Sequence, residues 1–101
     1  MRLTEFQRQA IRECVYRYFG SEARALLFGS RVYDTQRGGD IDILVEVADA
    51  DPDSQDALIR KVKTVCAIQA KIGERKIDLI VAGKNSRNPV VQIARREGIE
   101  V

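Results

Sequence analysis

Three aspartates and a glycine–serine pair are the residues whose types and spacing could do chemistry. Asp40 and Asp42 open the run Asp40-Ile41-Asp42-Ile43-Leu44-Val45-Glu46-Val47. Residues two apart on a strand project from one face, with Cα atoms about 6.6 Å apart. Both acids precede an apolar run, so they sit where a buried strand emerges. Two carboxylates there repel each other unless something positive lies between them. A divalent cation answers that need, and Mg²⁺ commonly takes one or two protein carboxylates together with substrate phosphates. The competing reading is a pair of solvated acids at a strand start, because Asp-x-Asp is short and common.

Asp78 adds weight to the metal reading. It lies in Lys76-Ile77-Asp78-Leu79-Ile80-Val81, flanked by apolar residues. An acid inside a strand costs stability unless it is compensated. If this strand neighbours the earlier one, Asp78 joins Asp40 and Asp42 on one face, and three carboxylates suit two metals about 3.5–4 Å apart. The alternative is a structural acid paired with Arg75, Lys76 or another base. Gly29-Ser30 follows the apolar run Arg24-Ala25-Leu26-Leu27-Phe28. Glycine there permits close approach of a ligand. A helix starting there would offer free amides and the Ser30 hydroxyl to phosphate oxygens. A plain strand-end turn or helix cap is the simpler alternative.

These residues need elements to position them. Thr4-Glu5-Phe6-Gln7 fits a capping box opening a helix that ends at Gly20, with Phe6, Ala10, Ile11, Cys14, Val15, Tyr18 and Phe19 at helical spacing. Residues 24–28 read as a strand, and a short helix after Ser30 is expected. Residues 40–47 read as a central strand covered on both faces. A helix is expected from about Ser54 to Ile72, stopping at Gly73, with Leu58, Val62, Val65, Cys66 and Ile72 as its apolar side. Asp49, Asp51 and Asp53 precede it, where the helix dipole favours negative charge. They do not make a calcium loop, because Ser54 and Arg60 stand where that loop needs Gly and Glu. Residues 75–81 read as a third strand. Asn88-Pro89 opens a last helix ending at Gly98, and Ile99 and Val101 extend beyond it. The expected architecture is a single small α/β (α+β) domain over residues 1–101. It has a mixed three- to four-stranded sheet packed with helices, its second and third strands being parallel neighbours joined through a helix.

Composition narrows the chemistry. The 101 residues contain no histidine, which excludes Ser-His and Cys-His nucleophile pairs and histidine metal ligands within this chain. A net charge of +2 is too mild to argue nucleic-acid binding. Cys14 and Cys66 lack zinc-ligand spacing, and both are expected to be buried, reduced thiols. No segment reaches the roughly 20 apolar residues of a membrane span, and the first residues turn polar before a signal-peptide core could form. A cytoplasmic protein is expected.

Taken together, Phe28-Gly29-Ser30, nine intervening residues, Asp40-Ile41-Asp42-Ile43-Leu44 and Ile77-Asp78-Leu79 resemble the DNA polymerase β-like nucleotidyltransferases. Essentially the whole chain resembles their small form, the prokaryotic minimal nucleotidyltransferases (MNT), down to Ile93-Ala94-Arg95-Arg96-Glu97-Gly98-Ile99. It departs locally in the phosphate loop. Ser30-Arg31-Val32-Tyr33-Asp34 replaces the commoner Ser-Arg-Ala-Arg-Gly, and Gly39 stands where Ser often precedes the first aspartate.

The resemblance implies the nucleotidyltransferase fold and a nucleoside triphosphate, usually ATP, bound with Mg²⁺ (two ions). Asp40 and Asp42 would bridge metals and triphosphate. Asp78 would hold the second metal and favour deprotonation of the acceptor. Gly29 and Ser30 would hold the β- and γ-phosphates, with Arg31 adding positive charge. The resemblance further implies a HEPN-domain toxin as partner, with this chain as its antitoxin transferring AMP to a toxin hydroxyl. The rival expectations are neutralisation of the partner by binding alone, and transfer to RNA or a small molecule. A homo- or hetero-oligomer is compatible with each.

Overall fold

The computed structural model describes residues 4–28, 41–48 and 54–101. Helix α1 (Glu5–Phe19) starts where the capping box predicts. The Thr4 Oγ1 accepts from the Gln7 amide at 3.1 Å, and the Gln7 side chain accepts from the Thr4 amide at 3.0 Å. Gly20 closes the helix at φ 95°, a conformation glycine adopts without strain. Strand β1 (Arg24–Phe28) follows, then β2 (Ile41–Val47). Helix α2 (Gln55–Ile72) is capped by the Ser54 hydroxyl and ended by Gly73 at φ 101°. Strand β3 (Ile77–Gly83) leads to α3 (Pro89–Glu97), capped by Asn88 with Pro89 in its first turn, and the two-residue strand β4 (Ile99–Glu100) completes the order. The short helix expected after Ser30 and the acids at 49, 51 and 53 lie outside the described residues.

The sheet order is β3-β2-β1-β4. Strands β1 and β2 are antiparallel, as are β1 and β4, whereas β2 and β3 are parallel. Alternation along each strand divides the core in two. Ala25, Leu27, Ile41, Ile43, Val45, Val47 and Leu79 face α1 and α2 and pack with Ile11, Val15 and Ile68. Leu26, Leu44 and Ala82 face α3 and pack with Val91 and Ala94. Gly98 turns α3 into β4 where backbones touch: a Cβ there would run into the Ala94 carbonyl and press on that of Leu27.

Four expectations need correction. The third strand covers 77–83 rather than 75–81, because the parallel ladder begins at Ile41↔Ile77 and continues to Val47↔Gly83. Helix α2 buries only part of its expected face: Val65 and Ile72 pack against the core as expected, but the helix is turned from Leu58 and Val62. Ala57, Thr64 and Ile68 are buried, while Leu58 and Val62 are 57% and 53% exposed. Thr64 can face inward because its hydroxyl donates to the Arg60 carbonyl at 2.7 Å. Cys66 is exposed for the same reason, whereas Cys14 is buried as expected, and both thiols are free. Phe6, read as part of the α1 core stripe, is 65% exposed at the helix start.

Candidate active site

The parallel pairing of β2 with β3 sets the central geometry. Asp42 is the register partner of Asp78. Paired residues on neighbouring strands project from the same face, with backbones about 4.8 Å apart. The two carboxylates therefore stand side by side on the α3 face of the sheet, Asp42 half-buried and Asp78 exposed. The Ile41 amide donates to the Lys76 carbonyl at 3.0 Å and locks the two strand starts together. On its other side Asp42 pairs with Phe28, the last residue of β1. Because β1 is antiparallel to β2, its C-terminal end lies at the same sheet edge as the N-terminal ends of β2 and β3. Gly29 is the next residue of the chain after Phe28, and Asp40 is the residue before Ile41.

Of the residues singled out in the sequence, Asp42 and Asp78 are thus brought together. Gly29, Ser30, Arg31 and Asp40 lie outside the described residues. Among the described residues no three His, Cys, Asp or Glu side chains are grouped to share a metal ion. The pair of carboxylates fits a divalent cation by its donor chemistry: two hard, anionic oxygen donors on one face. Among the described residues no ion pair joins Asp78 to Arg75, the first of the bases that the structural alternative offered.

At the other end of the same sheet face lies a cluster that the sequence reading missed. Glu46, 4% exposed, accepts from Arg95 Nε at 2.9 Å and meets Arg24 Nη1 at 3.5 Å. Arg95 gives two further donors to the Ser86 and Gly83 carbonyls at 3.0 and 2.6 Å. Arg24 also pairs with Glu100 at 2.8 Å; the hydrogen bond to Glu100 chiefly raises the guanidinium's affinity for its proton. The signal available in the sequence was the one used for Asp78, an acid within an apolar strand.

Neither Asp42 nor Asp78 lines the two larger cavities bounded by described residues. One of about 510 Å³ surrounds Arg24, Glu46 and Arg95. A second, of about 520 Å³, runs between α2 and β3 past Leu58, Lys61, Leu79 and Val81.

A comparison with curated proteins gave no match. Against family models, residues 8–101 match the nucleotidyltransferase domain. That span includes all four strands and both aspartates of the register pair. The match agrees with the mixed four-stranded sheet and its three helices. By that match, this chain belongs to the nucleotidyltransferase domain family.

Proposed function

We propose that this nucleotidyltransferase moves AMP from ATP to a hydroxyl on a partner protein, and that the partner is a HEPN-domain toxin which the transfer neutralises in the cytoplasm. The observation that carries the chemistry is the Asp42–Asp78 register pair at the sheet edge where β1 ends. Asp40, Asp42 and Asp78 are the residues that would hold Mg²⁺. When bound, the cation neutralises triphosphate charge and stabilises the charge that develops in the transition state. Gly29 and Ser30 would receive the β- and γ-phosphates, and Arg31 would add charge beside them. In the transfer the acceptor oxygen bonds to the α-phosphorus, and the α-phosphorus bond to the bridging oxygen breaks. Pyrophosphate leaves, and the hydroxyl proton passes to the Asp78 carboxylate. No histidine is needed, since a carboxylate serves as proton acceptor and phosphate charge is met by cations.

The test is incubation of the protein with ATP, Mg²⁺ and the product of the neighbouring gene, read by intact mass. A gain of one adenylyl group on the partner is expected. Label appearing only on RNA or a small molecule would replace the protein acceptor. Failure with every nucleotide and neighbour tried would remove the transfer reading. Full neutralisation by a folded Asp40→Asn, Asp42→Asn variant would leave binding alone as the mode of action.

A further inference from the structure

Strand β3 carries Asp78 and is the outermost strand of the sheet, so its far edge pairs with nothing among the described residues. In a parallel ladder, consecutive residues point their backbone groups to alternate sides. The bond from the Ile41 amide to the Lys76 carbonyl, with Ile41 opposite Ile77, fixes which residues those are. Lys76, Asp78, Ile80 and Ala82 turn toward β2. Ile77, Leu79 and Val81 turn their N–H and C=O groups outward. Gly83 ends the outward row, because its carbonyl accepts from Arg95 and from the Ser86 amide. The row has no proline and no lysine, the usual protections of an edge strand. Beside it runs the groove between β3 and α2, walled by Leu58 and Lys61. Leu58 is exposed because α2 buries a different face.

We infer that this edge receives an extended segment of the acceptor polypeptide as a fifth strand, with a hydroxyl side chain in register with Asp78. The inference rests on the transfer reading above. A strand added there sets its backbone about 4.8 Å from β3, and the residue opposite Asp78 projects from the same face. Its hydroxyl then stands beside the carboxylate that takes its proton. The residues on either side project into the α2 groove, where Leu58 favours apolar side chains. A second copy of this chain fits the edge less well. Antiparallel self-pairing centred on Leu79 would set an isoleucine, Ile80, opposite each Asp78 and bury a carboxylate against an apolar side chain.

The test is a nuclear magnetic resonance titration of the full chain, without metal or nucleotide. The probe is a peptide of roughly nine residues with a central tyrosine, valine at alternate positions flanking it, and lysine or glutamate elsewhere. Amide shifts and slowed exchange are expected at Ile77, Leu79 and Val81, with Asp78, Ile80 and Ala82 little changed. Val81→Pro removes an outward donor without touching the β2 ladder and should abolish the effect. Leu58→Asp, on the exposed groove wall, should weaken binding about tenfold, the loss expected when one apolar contact is replaced by a charge. Should Val81→Pro unfold, the same peptide with its backbone amides methylated serves instead, and it should not bind. Absent protection, protection without alternation, or a dimer in sedimentation that Val81→Pro disperses would each overturn the inference. Asp42→Asn should leave peptide protection intact. Protection without transfer to any acceptor therefore fails only the transfer reading, and transfer without protection fails only the added strand.

Discussion

Glu46 and Asp42 lie on the same strand and the same sheet face, four residues apart, and the side chains the neighbouring elements set beside them differ. Glu46 is buried at the C-terminal end of β2, with Arg95 and Arg24 on its two carboxylate oxygens. Asp42, at the N-terminal end, has another carboxylate, Asp78, as its register partner on the neighbouring strand. Like charges about 5 Å apart repel by roughly 1 to 3 kcal/mol between water-like and protein-surface screening. The fold thus brings two guanidinium groups to one acid and sets a carboxylate in register beside the other. On the proposed function, the difference separates an acid held for structure from acids held for chemistry, although both kinds interrupt apolar strands.

The largest effect should come from the N-terminal pair. Asp42→Asn or Asp78→Asn is expected to lower nucleotidyl transfer roughly a thousandfold, since each removes several kcal/mol of metal-borne transition-state stabilisation. Without metal, Asp78→Asn should melt at or slightly above the wild-type temperature, because it relieves repulsion. Saturating Mg²⁺ with ATP should stabilise the wild type, by about 2.7 kcal/mol at a hundredfold excess over the dissociation constant, and the variant far less. Thermal melting with and without Mg²⁺ and ATP checks both statements. Marked loss of stability in metal-free Asp78→Asn would make Asp78 a structural acid and erase the contrast.

Glu46→Ala should act on stability instead, at a cost of about 3 kcal/mol. It strips Arg95, three-quarters buried, of the carboxylate that offsets its desolvation. Urea denaturation measures this directly. A cost under about 1 kcal/mol would mean that solvent reaches the cluster, and that the two ends differ less than their contacts suggest.

Much of this was legible in the sequence, for reasons that are local. Thr4, Ser54 and Asn88-Pro89 each supply a capping oxygen, and Gly20 and Gly73 take a backbone conformation other residues avoid, so helix ends could be read directly. The parallel pairing of β2 with β3 followed from a helical crossover, and it carried the prediction that Asp78 would stand beside Asp42. What escaped depends on distant chain. Asp78 and Glu46 both read as acids inside apolar strands. Only the fold shows that a guanidinium from Arg95, forty-nine residues away, reaches Glu46. The face of α2 escaped for a related reason. That helix has more apolar residues than the sheet can cover, and an internal hydrogen bond lets Thr64 take a core position that Leu58 or Val62 was expected to fill.

The smallest effect isolates burial from contact within the balanced end. Arg24 pairs with two acids: Glu100 at 2.8 Å, where both partners are about half exposed, and Glu46 at 3.5 Å, where the acid is almost fully buried. By distance the Glu100 pair is the stronger. By solvation it is the weaker, because water screens both charges and each long side chain loses freedom when held in place. Glu100→Gln should therefore cost about 0.5 kcal/mol or less, several-fold below Glu46→Ala despite the shorter contact. Its cost should shrink further in about 1 M salt, where screening acts within roughly 3 Å, while that of Glu46→Ala should change little. A double-mutant cycle of Arg24→Gln with each acid, run by denaturation at low and high salt, separates the two couplings. A larger, salt-insensitive coupling to Glu100 would show that contact distance rather than burial sets the energetics of this end.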